Sequence, residues 1–221
     1  MTEAGGLALR PPWSYDLPSG RRKLAAGERL SAEVRRGQIL QAARAALVAQ
    51  GHLPLAPERL AAEIGVSKAL IYTYFPDQAD LANAIAAEDF ARLAADGLDA
   101  AARLDELETA AVASAEIYFR HVCAQGPALH VILRDPYMRG RLAPAVAAAR
   151  DRAARPLVRR AAKALALPAD EAVGAFSLVL AIPEEAGRLV WQGELSPDAG
   201  LELCRRLTAA AVQSLQSPDG R

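Results

Sequence analysis

Between Pro57 and Phe75, in the stretch PERLAAEIGVSKALIYTYF, apolar residues recur at Leu60, Ala61 and Ile64 and again at Val66, Leu70, Ile71 and Phe75. Gly65 separates the two sets. Each set has helical spacing, so the stretch predicts two short helices about a tight turn. Pro57 suits the first position of a helix, where its missing N–H costs nothing, and Gly65 supplies the left-handed backbone that ends it. Ser67 can then accept the free N–H groups of the second helix. A capped helix, a short turn carrying glycine and a second capped helix have the sequence shape of a helix-turn-helix.

The flanking pattern extends this unit. A first helix is predicted from a Ser31 cap to Gln50, ended by Gly51, with Val34, Ile39, Ala42, Ala43, Ala46 and Leu47 as its apolar face. With Leu60, Ile64 and Ile71 this face makes a three-helix core, small enough to need the rest of the chain for stability. Asp77 can cap a fourth helix that carries Leu81, Ile85, Phe90 and Leu93 to about Asp96. Beyond Leu104 the spacing predicts helices over Asp105–Gln125, Pro127–Leu133, Arg141–Leu165 with a bend near Pro156, Ala169–Gln192 bent at Pro183, and Pro197–Leu215. The expected fold class is all-α: an N-terminal three-helix head with the helix-turn-helix at 31–80, then a helical bundle at 81–221. Residues 1–30 lack helical period and read as an arm.

With Leu70, Ile71 and Phe75 turned inward, the outer face of the second short helix is left with Ser67, Lys68, Ala69, Tyr72 and Thr73. These suit the major groove of double-stranded DNA. Lysine can reach guanine acceptors, hydroxyls can take a base edge or phosphate, and alanine leaves room for a thymine methyl.

Residues 39–81, ILQAARAALVAQGHLPLAPERLAAEIGVSKALIYTYFPDQADL, resemble the DNA-binding domain of the TetR (tetracycline-repressor-like) family of transcriptional regulators. The resemblance rests on Ile39-Leu40-x-Ala42-Ala43, Gly51, Leu60-Ala61, Gly65-Val66-Ser67-Lys68, Ile71-Tyr72 and Tyr74-Phe75. It implies that Lys68, Ala69, Leu70, Tyr72, Thr73 and Tyr74 occupy the recognition-helix positions facing DNA. The fourth helix would tie the head to the body. It further implies a dimeric regulator, most simply a repressor on a palindromic operator, released by a small molecule held in the body. Two positions depart from the family pattern. Ala56 stands where a capping, phosphate-touching Thr or Ser is usual, and Gln78 where a phosphate-binding lysine is usual. The lost lysine predicts a salt dependence shallower by about one unit.

Composition supports a helical protein: 52% of residues are hydrophobic but only 5% aromatic, and no run of alternating β-branched residues occurs. Formal net charge is zero. Residues 1–80 hold 10 basic and 8 acidic side chains, against 16 and 18 in residues 81–221. A general polyanion binder would carry a larger excess, so DNA recognition must rest on local placement. Between Arg21 and Arg44 lie Arg21, Arg22, Lys23, Arg29, Arg35, Arg36 and Arg44, against Glu28 and Glu33. Arg36 joins the expected DNA-binding set. Arg21, Arg22 and Lys23 either follow the minor groove or phosphates, or belong to a solubilising tail. No signal-peptide pattern or membrane-length apolar run is present, and Cys123 and Cys204 form no metal or redox motif. The expectation is a cytoplasmic protein with reduced thiols.

For a twofold partner, the expected apolar stripes are Leu203, Leu207, Ala210, Ala211 and Leu215 on the last helix, and Phe176, Val179, Leu180, Ala186 and Val190 on the one before. The body offers Ser114, Tyr118, His121 and Gln125 along one helix side, with His130, Arg134, Tyr137, Glu184, Arg188 and Trp191 elsewhere. Of these, Tyr118, His121, His130, Tyr137 and Trp191 are the candidate contacts to an unknown small-molecule ligand. The arginines from Arg150 to Arg160 read as a solvated face with Asp151. An enzyme has little support: there is no Gly-rich phosphate loop, nucleophile elbow or metal-spaced His or Cys pair, and no catalytic residue, metal or cofactor is expected. A helical adaptor that keeps the fold without binding DNA is the third class, suggested by Ala56 and Gln78.

Overall fold

The computed structural model describes residues 31–216, and within them the chain forms ten α-helices and one 3₁₀ turn. The head comprises α1 (Ala32–Gln50), α2 (Pro57–Ile64) and α3 (Lys68–Tyr74), and α4 (Gln78–Ala95) leads into the body. The body continues with α5 (Leu98–Ala101), α6 (Leu107–Gln125), α7 (Ala128–Arg134), the 3₁₀ turn Pro136–Met138, α8 (Pro144–Ala164), α9 (Ala169–Trp191) and α10 (Pro197–Gln216).

Local chemistry sets the head's boundaries. The Val34 N–H donates to Ser31 Oγ at 3.2 Å and the Leu70 N–H to Ser67 Oγ at 3.2 Å. The Asp80 N–H donates to Asp77 Oδ1 at 2.7 Å. Gly51 and Gly65 take the left-handed conformation, φ +77° and +69°, that ends α1 and α2. Ala56 gives α2 no side-chain cap. Ile39, Leu47, Leu60, Ile71 and Phe75 close the head, and the same core continues through Ile85 and Val122 to Leu129 and Ile132 in the body.

In the body, α6, α9 and α10 pack on one another, and two glycines allow the close approach. A Cβ on Gly187 would lie 2.6 Å from Val122 Cβ, and one on Gly200 2.6 Å from Val190 Cγ2. Cys123 and Cys204 are free, and burial pushes their thiols up to about 12 and about 11.

Several expectations change. Val34 is 49% exposed and so lies outside the described core. Helix α6 begins at Leu107 rather than Asp105. Helix α8 begins at Pro144 rather than Arg141, because proline takes its first turn. The short α5, opened by Gly97 in the left-handed region, is an element that the spacing does not predict. On α9 the expected dimer stripe is used within the chain: Phe176, Val179 and Leu180 line a cavity between the helices, and Ala186 and Val190 pack with Phe119 and Cys204. Its exposed large apolar residues are instead Val173, Leu178 and, at its end, Trp191. On α10, Leu203, Leu207 and Leu215 are exposed, and Leu215 also borders the cavity.

Candidate DNA interface and ligand cavity

Helix α3 projects one face into solvent because only Ile71 of its residues is fully buried, and Phe75 behind it anchors the helix end. The Lys68 side chain is 48% exposed and Tyr72 is 38% exposed. Ser67, Ala69 and Thr73 are also exposed, whereas Leu70 and Tyr74 are half-buried. Three of these groups already have partners. Ser67 caps α3, and Thr73 Oγ1 donates to the Ala69 carbonyl at 3.0 Å. Lys68 Nζ lies 2.6 Å from Glu58 Oε1 on α2 and 5.8 Å from the Tyr72 ring centre. Hydrogen bonding, then charge, from Glu58 raises the Lys68 ammonium above its ordinary value, so the lysine stays a cation. Exposed Arg36 places its guanidinium 5.3 Å from the Phe75 ring centre, beside the end of α3. Arg21, Arg22 and Lys23 lie outside the described residues.

Two polar ties fix the head on the body. Arg44 of α1 contacts Asp89 of α4 through Nη1–Oδ2 at 2.8 Å and Nη2–Oδ1 at 2.7 Å. Asp89 is wholly buried, with His121 Nε2 of α6 3.5 Å from Oδ1 and Arg92 Nη1 at 3.2 Å. Burial raises the Asp89 carboxyl, but hydrogen bonding to His121 and Arg44 outweighs it and holds the group below the ordinary aspartate range. In the second tie, the Leu53 N–H before α2 donates to Asp135 Oδ2 at 2.7 Å, and the Tyr137 N–H donates to Oδ1 of the same carboxylate.

The body holds a partly open cavity of about 150 Å³ lined by residues of α4 to α10. Its lining is almost wholly apolar. Alanines 153, 154 and 161 on α8 leave the space that Phe90, Leu157, Phe176 and Leu180 surround. The buried polar groups on it are Ser114, Tyr118 and Glu184. Of the five expected ligand contacts, Tyr118 lines this cavity. The other four do not: His121 is turned to Asp89, with its ring stacked 6.3 Å from that of Tyr118. His130 lies behind Glu184, its Nδ1 2.7 Å from Oε2. Tyr137 carries the Arg141 guanidinium on its ring at 4.7 Å, and Trp191 is exposed beside Gly126. Arg150 and Arg155 pair with Asp151, as a solvated face would.

Residues 39–85 match the family model described as bacterial regulatory proteins, tetR family. The head is a TetR-family DNA-binding domain. Solved structures extend the likeness to the fold of the whole TetR-type chain. A TetR-like transcriptional regulator from Rhodococcus sp. RHA1 aligns with a TM-score of 0.61 at 19% identity, over 84% of this chain and 99% of its own. The TetR family regulator PfmR from Thermus thermophilus aligns with a TM-score of 0.56 at 21% identity, over 79% and 97%. A TetR variant from Acinetobacter baumannii AYE in complex with minocycline aligns with a TM-score of 0.52 at 12% identity, over 86% and 99%. No curated protein gives a significant match.

The two departures within the TetR-type head have different structural consequences. Ala56 leaves the first turn of α2 without a side-chain acceptor. Gln78 accepts a hydrogen bond at Oε1 from the Leu55 N–H at 3.1 Å, which joins the loop before α2 to the start of α4. A lysine there could not accept this bond. Sequence reasoning missed Arg44 and Asp89 as a pair. The available signal was a carboxylate on the α4 face that also carries Ile85 and Leu93, where burial demands a partner.

Proposed function

We propose that the protein is a ligand-responsive transcriptional regulator, a repressor that binds a palindromic operator as a homodimer and releases it when a small molecule fills the cavity. The observation that carries this reading is the solvent-facing row Lys68, Ala69, Tyr72 and Thr73 on a Ser67-capped α3, in a head tied to the cavity-bearing body through Asp89. In this reading α3 enters the major groove, with Ser67, Lys68, Tyr72 and Thr73 on bases or phosphates and Arg36 at the adjoining backbone. Leu70 and Tyr74, half-buried, position the helix.

The exposed apolar residues Val173 and Leu178 of α9 and Leu203 and Leu207 of α10 supply the surface for a second copy. Two heads must meet half-sites roughly 34–36 Å apart. A ligand that prefers another head separation lowers operator affinity by its own preference between the two states. That the Acinetobacter protein of this fold is solved in complex with minocycline supports a ligand-responsive reading.

The test is fluorescence anisotropy of the full chain with the DNA upstream of its own gene and a scrambled duplex, across a salt series. A specific complex that weakens steeply with salt supports a regulator. Equal, background-level signals on both duplexes would leave the helical adaptor.

A further inference from the structure

The buried polar groups on the cavity wall are unequal in what they offer. Ser114 and Tyr118 are four residues apart on α6 and therefore share a face. Ser114 is 6% exposed and its Oγ has no hydrogen-bond partner. The Tyr118 hydroxyl donates to Glu184 Oε1 at 3.2 Å. Burial, then the Glu184 charge, pushes the phenol well above its ordinary value, so that proton stays committed. The cavity side is left with the oxygens of Tyr118, Glu184 and Ser114, all able to accept, and one uncommitted donor, the Ser114 hydroxyl. Beside Glu184 lie His130 Nδ1 at 2.7 Å and the Arg134 guanidinium at 3.9 Å, and neither residue lines the cavity. Among the described residues the lining has one cation, Arg150, which is half-exposed and held by Asp151 at 3.1 Å.

We infer that the cavity takes a slender aliphatic amine, whose ammonium meets the acceptor cluster of Ser114, Tyr118 and Glu184 while its chain lies among Leu157, Phe176 and Leu180. The proposal rests on the ligand-responsive reading above and specifies its ligand. Two constraints select this class. A volume near 150 Å³ bounded by so many side chains admits a narrow chain rather than a fused ring system. A buried carboxylate flanked by acceptors gives a charge-assisted hydrogen bond to an N–H donor and repels a carboxylate.

The test is calorimetric titration of the full-length protein with n-octylamine, n-octanol and octanoate at neutral pH, repeated on Glu184→Gln and on Ala154→Phe, which fills the cavity. The expected result is octylamine binding about tenfold or more tighter than octanoate, with octanol between them. In Glu184→Gln the amine preference should shrink to about threefold or less, because the amide removes the charge but retains an acceptor for Tyr118. Since this is a ratio within one variant, a general loss of stability does not move it. Octanoate binding as tightly as octylamine, or an amine preference unchanged in Glu184→Gln, overturns the proposal while leaving a ligand cavity. Heats that are absent for all three compounds, or undiminished in a folded Ala154→Phe, overturn the proposal and the cavity reading together.

Discussion

Arg44 and Asp89 form a two-pronged ion pair, 2.8 and 2.7 Å, between the first helix of the head and the helix that enters the body. Asp89 is fully buried, so the pair fixes α1 against α4 and, through His121, against α6. Asp89→Asn should reduce stability by about 3–5 kcal/mol, because Arg44 is left nearly buried without its counter-charge. Replacing both partners, with Arg44→Met and Asp89→Leu, should recover much of that loss. Urea unfolding of wild type and the two variants measures it. The folded carboxyl is held below its unfolded value. Its contribution is therefore present above the ordinary aspartate value and is lost as pH falls through the folded one. The stability difference between wild type and Asp89→Asn should therefore persist down to about pH 4 and shrink only as the pH falls further, through the lowered folded value.

Lys68 is held by Glu58 in the free protein at 2.6 Å, and docking in the major groove must break that contact. Lys68→Ala should weaken specific operator binding about tenfold or more, and unchanged affinity would argue against the groove assignment. Glu58→Gln should act in the opposite direction. It frees the lysine and removes an anion near the phosphates, so affinity rises and the salt dependence steepens. Anisotropy titrations of both variants across a salt series distinguish these outcomes.

Residues 31–80 carry five basic and five acidic side chains, and the remaining five basic and three acidic side chains of residues 1–80 precede them. The basic excess of residues 1–80 thus belongs wholly to the segment before Ser31. If Arg21, Arg22 and Lys23 track phosphates, replacing all three by alanine should flatten the log–log salt slope by up to about three units and weaken specific and non-specific binding alike. A slope equal to wild type would identify the segment as a solubilising tail.

The head was legible in sequence because its boundaries follow local rules. Ser31, Ser67 and Asp77 accept the N–H groups that a cap should, and Gly51 and Gly65 stand where the backbone turns left-handed. The body was legible as helices but not as a site. The shared face of Ser114 and Tyr118 follows from spacing, yet His121, three residues further, is turned away by a carboxylate 32 positions earlier in the chain. His130 and Trp191 looked like ligand contacts because they are polar or aromatic in an apolar context. Their neighbours Glu184 and Gly126 arrive from distant elements, and no periodicity encodes that. The close approaches at Gly187 and Gly200 likewise depend on Val122, Val190 and Phe119, which tertiary packing brings against them.

Leu178 is the most exposed large hydrophobic residue described on α9, at 76%, and Leu207 on α10 is 52% exposed. Exposed apolar residues on two helices that pack on each other offer surface of the kind that association covers. A charge in its centre should prevent that association without disturbing the fold, since neither side chain supports the core. Leu178→Glu and Leu207→Glu are therefore expected to convert a dimer to a monomer in analytical ultracentrifugation while retaining wild-type helical circular dichroism. Operator affinity should fall with dimerisation, because one head reads only half of a palindrome. A variant that remains dimeric would place the twofold interface elsewhere on the body.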